Sequence, residues 1–308
     1  MSQQSLLNRL RGAFPAAITP MTPAGEVDHV ALAENLKWMN KMMLGPAGYV
    51  LLGSTGEQAH LSEFERALVL EIGRRHIPDE KVLIAGTGMQ STRLTIEETK
   101  RVAEAGADAA LVVTPNYYQP LMKSATLIKH YRAVADASRI PILLYTVPNI
   151  TGITIPPDAV AELSTHPNII GMKNSSGESK LASAYYEATA ENESFVILSG
   201  SAYAAPGYLL AGLAEGVILA AANVLPEVAA ALVEDAQEGN IAEVRRHATA
   251  LRQISLKVGR FGIGGWKAGV EVRGHHGGPA RLPMPKLTKE EKEFVAHATK
   301  EIFEAWAF

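Results

Sequence analysis

Lys173 closes the apolar, β-rich run Ile169-Ile170-Gly171-Met172 and is followed by Asn174-Ser175-Ser176. A lysine that terminates an apolar strand directs its amine to the rim of a sheet, where an ammonium is poorly hydrated. The free amine favoured there attacks carbonyl carbon. The competing reading is a strand-end lysine whose head snorkels into water. Tyr145 ends a similar run, Ile140-Pro141-Ile142-Leu143-Leu144. Its phenol both donates and accepts, so one strand from the lysine it can relay protons to and from a carbinolamine; a core tyrosine with a satisfied hydroxyl is the alternative. A third strand end carries Gly53-Ser54-Thr55-Gly56-Glu57. Small residues let the backbone approach a ligand, and the Ser54 and Thr55 hydroxyls with nearby N–H groups can hold a carboxylate without a cationic side chain. Glu57 is expected to brace that loop.

Other chemistries lack their residues. There is no GxSxG serine elbow, no Gly-Lys-Ser/Thr phosphate loop and no HExxH pair, which removes the usual hydrolase, nucleotide and zinc-peptidase signatures. His275-His276 sits between glycines with no carboxylate at ligand spacing, so no metal is expected there. Without cysteine the chain has no disulfide, thiolate nucleophile or Cys-ligated zinc. A formal charge of -3 with scattered Lys and Arg argues against nucleic acid as a partner. No apolar stretch approaches the roughly 20 residues that span a bilayer, and the start MSQQSLLNRLRGAF lacks a signal-peptide core. No membrane role is expected, and the cytoplasm is the expected compartment.

The elements that must position these groups follow from the apolar pattern. Eight short runs read as strands: 13–19, 47–52, 82–85, 109–113, 140–145, 169–172, 195–198 and 217–221. Between them, residues 28–42, 62–76, 94–104, 124–137 and 157–163 place apolar side chains at three- and four-residue spacing, as helices do. Strands apolar on both faces and joined by helices imply a parallel sheet covered by helices. The first strand ends in Thr19-Pro20-Met21-Thr22 instead of a GxGxxG turn, so a closed (β/α)8 arrangement, the TIM barrel, is preferred to an open doubly wound sheet. Residues 1–224 are assigned to that barrel. Residues 225–308, with helical patterns at 226–238, 241–258 and 289–307 and a Gly-rich join at 259–265, are assigned to a C-terminal helical region packed on it.

Four segments together closely resemble the dihydrodipicolinate synthase and N-acetylneuraminate lyase family of class I pyruvate-dependent aldolases. They are Gly53-Ser54-Thr55-Gly56-Glu57, Thr114-Pro115-Asn116-Tyr117-Tyr118, Tyr145-Thr146-Val147-Pro148-Asn149-Ile150-Thr151-Gly152 and Gly171-Met172-Lys173-Asn174-Ser175. The resemblance implies that Lys173 forms a Schiff base with pyruvate and that Tyr145 is the proton relay. It implies that Tyr117 enters a neighbouring subunit's site and joins Thr55 and Tyr145 in a proton-transfer chain, and that Gly53, Ser54, Thr55, Ser175, Ile218 and Ile150 line the substrate site. A homotetramer, assembled as a dimer of dimers, is implied as well. No metal or organic cofactor is expected, because the protonated imine on Lys173 is itself the electron sink.

Activities in this family divide by the second substrate. Synthases carry an arginine two residues after the proline of the Tyr-x-Val-Pro motif, and this chain has Ile150 there; a bidentate contact to a semialdehyde carboxylate is lost. Segments 106–118, 166–175, 260–267 and 277–279 are similar to the 4-hydroxy-2-oxoglutarate aldolase branch. Cleavage of 4-hydroxy-2-oxoglutarate to pyruvate and the aldehyde glyoxylate is therefore the expected reaction. Dihydrodipicolinate synthase, a 2-keto-3-deoxy sugar acid aldolase and a pyruvate-sensing barrel without turnover are the alternatives.

Overall fold

Apolar segments rich in Val, Ile and Leu and too short for a helix form eight strands: β1 (Ala13–Pro15), β2 (Gly48–Leu51), β3 (Val82–Gly86), β4 (Ala109–Val113), β5 (Ile142–Thr146), β6 (Ile169–Asn174), β7 (Val196–Ser199) and β8 (Gly216–Leu219). The computed structural model describes residues 2–307. All neighbouring strands pair in parallel in the order β1-β8-β7-β6-β5-β4-β3-β2, and a parallel bridge from Ala16 to Val50 joins the two ends. The sheet closes, as the eight apolar runs imply. Asn223 secures the seam: its Nδ2 donates to Ala16 O at 2.7 Å and its Oδ1 accepts the Ile18 N–H at 2.9 Å.

A helix, α1 (Gln3–Leu10), precedes the barrel. Leu6, Leu7 and Leu10 are buried with Phe14, Val82, Ala109, Val196 and Ile218, the inward side chains of the strands. They plug the N-terminal end of the barrel, each contributing about 1.5–3 kcal/mol through removal from water. The outer ring comprises α2 (His29–Asn40), α3 (Glu63–His76), α4 (Thr92–Glu104), α5 (Ser124–Ala137) and, after the short α6 (Pro148–Thr151), α7 (Pro157–Ser164), α8 (Ser179–Thr189), α9 (Ala205–Leu210) and α10 (Pro226–Gln237). Their starts are fixed locally. Ser62 and Glu65 form a reciprocal capping box on α3, and Ser91 caps α4. Since α10 packs on β1 and β8, a helix expected in the C-terminal region takes the eighth position in the ring.

The remaining helices, α11 (Ile241–Lys257), α12 (Gly262–Val272) and α13 (Lys289–Ala307), pack on one another and share a buried apolar cluster with α10 and β8. The expected Gly-rich join at 259–265 is instead ordered secondary structure. A short 3-10 turn at Gly259–Phe261 leads directly into α12. Two of its glycines serve contact: a Cβ on Gly265 would collide with Val258 O, and one on Gly269 would lie 2.9 Å from Val224 Cγ2; Gly262, with φ 62° and open space around it, supplies the backbone freedom at the helix start. Among the described residues no helix is long and apolar enough to cross a membrane.

Candidate active site

The C-terminal ends of parallel barrel strands are where such folds carry their chemistry, and β5 and β6 bring the first two candidates together. On β5, Leu143 and Tyr145 face the barrel interior while Ile142 and Leu144 face the helices. Ile142 pairs with Ile169, yet Leu143 pairs with Gly171, so β6 carries one extra residue at Ile170. That bulge sets Lys173 opposite Tyr145, and register partners in parallel strands share a face. Both side chains are buried. The Lys173 Nζ lies 4.4 Å from the centre of the Tyr145 ring. Among the described residues only Lys173 and Lys267 are buried lysines; Lys267 is paired with Glu57, whereas the head of Lys173 faces the aromatic ring.

The loop after β2 supplies the next group. Ser54 Oγ is 3.4 Å from the Tyr145 hydroxyl, and Thr19 Oγ1 donates to Gly56 O at 2.7 Å, tying the loop to the segment that follows β1. Glu57 adopts a left-handed backbone (φ 59°) that a non-glycine residue takes only when its surroundings hold it there. Ser175, two residues past Lys173, has a buried Oγ with no partner among the described residues, the state expected of a group that meets a ligand or water. Gly200, after β7, makes room for both: a Cβ there would overlap Ser175 Oγ and stand 2.9 Å from Lys173 Cε. The available sequence signal for Gly200 was the Ser199-Gly200 pair that ends the apolar run Phe195-Val196-Ile197-Leu198.

The sequence profile of the dihydrodipicolinate synthetase family matches residues 9–302. This chain belongs to that family. A 4-hydroxy-tetrahydrodipicolinate synthase from Methanothrix thermoacetophila is 37% identical over 288 residues, 92% of this chain and 93% of that protein. Among solved structures, the chloride-inhibited dihydrodipicolinate synthase of Acinetobacter baumannii, complexed with pyruvate, superposes with a TM-score of 0.86 at 31% identity, covering 96% of this chain and 99% of that one. A prophage protein of the same family from E. coli K12, also in complex with pyruvate, gives a TM-score of 0.88 at 26% identity over 95% and 98% of the two chains. The chain is an enzyme of the class I aldolase type that characterises the dihydrodipicolinate synthetase family.

Among the described residues, the remaining candidates in this family member make no side-chain hydrogen bond or ion pair with Lys173 or Tyr145, although Ile218 shares the interior cluster with Tyr145. Thr55 is partly buried, and the hydroxyl within reach of Tyr145 is that of Ser54. Tyr117 is 78% exposed, stacked edge-on against Tyr118 at 5.0 Å. Its backbone N–H, with that of Asn116, donates to Gln90 Oε1 at 2.9 Å, which fixes the loop on which the ring stands. Ile150 projects from α6 and is 63% exposed. Ile218 lies in the interior layer of the barrel. His275 stacks on Trp38 with ring centres 3.8 Å apart, and His276 pairs with Glu34 at 2.6 Å. Asp235, Glu243 and His247 lie close enough to share an ion, but both His247 nitrogens are engaged, Nε2 with Asp235 and Nδ1 with the Trp306 indole, each at 2.8 Å. A depression of about 670 Å³ lined by Asn8, Gly12 and Glu215 lies at the N-terminal end of the barrel, away from Lys173.

Proposed function

We propose that this enzyme loads pyruvate on Lys173 as a Schiff base and makes or breaks a carbon–carbon bond at the methyl carbon of that pyruvate. The observation that carries the reading is the inward, register-paired Lys173 and Tyr145, with the amine 4.4 Å from the ring and Ser54 beside the phenol. The amine attacks C2 of pyruvate; the carbinolamine loses water, with Tyr145 moving the protons, to give the protonated imine. Loss of a C3 proton yields an enamine whose carbon attacks an aldehyde, and hydrolysis returns the free amine. In the cleavage direction the same steps run backward, the 4-hydroxyl proton leaving through Tyr145, directly or through the Ser54 and Thr55 hydroxyls. Ser54, Thr55 and the N–H groups of their loop hold the carboxylate of the 2-oxo acid, Ser175 faces the bound imine, and the imine is the only electron sink the chemistry requires.

For the second substrate, the synthase names of relatives up to 37% identical weigh more than the segment likeness that favoured 4-hydroxy-2-oxoglutarate. Condensation of pyruvate with aspartate semialdehyde is the first reading. Cleavage of a 4-hydroxy-2-oxo acid is the second, and Ile150 favours it, because that side chain gives a second carboxylate no charge-assisted contact. A tetramer of two dimers, in which the exposed Tyr117 completes a neighbour's site, belongs to the same proposal, as does a cytoplasmic location. Borohydride added with pyruvate is expected to fix a stable adduct on the peptide containing Lys173; intact protein that leaves Lys173 unmodified would exclude the mechanism. Initial rates with aspartate semialdehyde, 4-hydroxy-2-oxoglutarate and 2-keto-3-deoxygluconate then rank the second substrates, and bound pyruvate with no turnover of any of them would mark a sensor.

A further inference from the structure

Lys267 occupies a place where a lysine is hard to justify by stability. It lies on α12, in the otherwise apolar run Phe261-Gly262-Ile263-Gly264-Gly265-Trp266-Lys267-Ala268-Gly269-Val270, and its side chain is fully buried. Burial above all, with the Arg281 charge nearby, pushes its ammonium down from the ordinary lysine range, opposed by the carboxylate of Glu57. A buried ion pair contributes little net stability compared with well-packed apolar side chains of similar volume, while removal of one partner leaves an uncompensated charge. What the pair does supply is a fixed geometry.

That geometry ends on the loop that faces Tyr145. Lys267 Nζ stands 2.5 Å from Glu57 Oε1 and donates to Pro279 O at 2.8 Å. The other carboxylate oxygen of Glu57 accepts the Arg281 N–H at 2.8 Å, and the Arg281 guanidinium holds Gly25 O, His60 O and Glu65. The chain can lie this close only because residues 277 and 278 are glycines: a Cβ on either would collide with Lys267 O or Met21 O. Both Glu57 contacts anchor a residue whose left-handed backbone turns the chain just after Ser54-Thr55-Gly56, with the Glu57 N–H donating to Ser54 O at 3.2 Å. Lys267 also neutralises a carboxylate three residues from Ser54. An uncompensated Glu57 would repel a substrate carboxylate held by that loop.

We infer that Lys267 is a positioning residue which, through Glu57, fixes the Ser54–Thr55 turn for the 2-oxo acid carboxylate, so that the C-terminal extension forms part of the substrate site. The inference rests on the proposed pyruvate Schiff base, and the experiment separates the two. Borohydride trapping is titrated with pyruvate in the wild-type protein, in Lys267→Met, in the charge-balanced Glu57→Gln/Lys267→Met pair, and in Arg273→Met. The last breaks another partly buried pair of the extension, Arg273 with Glu227 at 2.6 Å. Melting temperature is read for each.

Lys267→Met is expected to raise half-saturating pyruvate tenfold or more with the final extent of trapping unchanged. The paired variant, which buries no lone charge, is expected to fold and still show a raised half-saturation. Arg273→Met is expected to melt lower and trap pyruvate as the wild type does. Wild-type half-saturation in folded Lys267→Met, or in the paired variant should the single one not fold, overturns the inference, as does an equal shift in Arg273→Met. If the wild-type protein traps no pyruvate, the Schiff-base reading falls and takes this inference with it.

Discussion

Replacing Gly200 with alanine tests the site at the point where its packing is tightest. The backbone there is outside the left-handed region, so alanine adds no conformational strain, and the residue is held by its N–H bond to Asn174 O at 2.7 Å. The new methyl would overlap Ser175 Oγ, whose hydroxyl has no partner to lose, and would lie 2.9 Å from Lys173 Cε where ordinary contact begins at 3.4 Å. Lys173 must therefore retreat by about 0.5 Å, at the tolerance within which catalytic groups act, and a misplacement of about 1 Å costs about a hundredfold in rate. Imine formation is expected to slow by roughly ten- to hundredfold, about 1.4–2.7 kcal/mol in the barrier, with about 1–3 kcal/mol of overpacking in stability. The assay is the time course of borohydride-trapped pyruvate on the Lys173 peptide, alongside urea unfolding. Gly200→Ala/Ser175→Ala should recover part of the stability and little of the rate, because the contact with Lys173 remains. Trapping by Gly200→Ala at the wild-type rate would refute the reasoning, since the amine would then not be where the packing confines it.

Tyr145→Phe is expected to lower turnover by about 10²–10⁴-fold while the protein still binds pyruvate, because the phenol's neighbour among the described residues is a 3.4 Å contact to Ser54; unchanged turnover would remove the relay. Ile150→Arg should lower the KM for aspartate semialdehyde by about ten- to hundredfold, the worth of one charged hydrogen bond, and leave pyruvate trapping as it is; steady-state kinetics on both substrates decides. Leu10→Ala should cost about 2–5 kcal/mol in denaturant unfolding, since it opens a cavity in the plug of the barrel. His130, buried with Nδ1 2.9 Å from Thr92 Oγ1, is pushed down by burial from 6.5 to about 4. The unfolded chain thus binds a proton that the folded one refuses, so the His130 contribution is complete above pH 6.5 and is lost as pH falls toward 4, in total about 3 kcal/mol. His130→Leu should flatten that slope in unfolding curves taken between pH 4 and 7, and an unaltered slope would show that other groups set it.

Much of the barrel was legible because its signals are local. Each strand is a short apolar run bounded by polar or turn residues, and the observed strands fall within a few residues of those runs. Ser62 and Glu65 mark the start of α3 in the sequence as they do in the structure. Residues 259–265 misled because glycine carries two opposite meanings. It breaks a helix where flexibility matters, and it permits one where a neighbour must come close, as Val258 and Val224 do beside α12. Lys267 was missed because a lone lysine in an apolar helix gains its partner from a carboxylate more than 200 residues earlier in the chain, and no periodicity announces a pair of that kind. α1 was missed because its leucines have nothing to pack on until the strands close above them.

The buried pair shows most sharply where local reading ends. Ile169 faces the helices, in register with Ile142. A strict two-residue alternation from Ile169 would turn Met172 inward beside Tyr145 and send Lys173 outward, among the helices, where its amine could meet no substrate. The extra residue at Ile170 reverses that parity: Gly171 and Lys173 turn inward, and Met172 joins the outer cluster. Gly171 in turn suits the bulge, because a Cβ there would strike Val196 O on β7. Strand-end position alone singled out Lys173 and Tyr145, but a one-residue irregularity in β6 is what sets amine and phenol on the same face. The chemistry proposed for this barrel therefore depends on a backbone feature that neither residue's identity encodes.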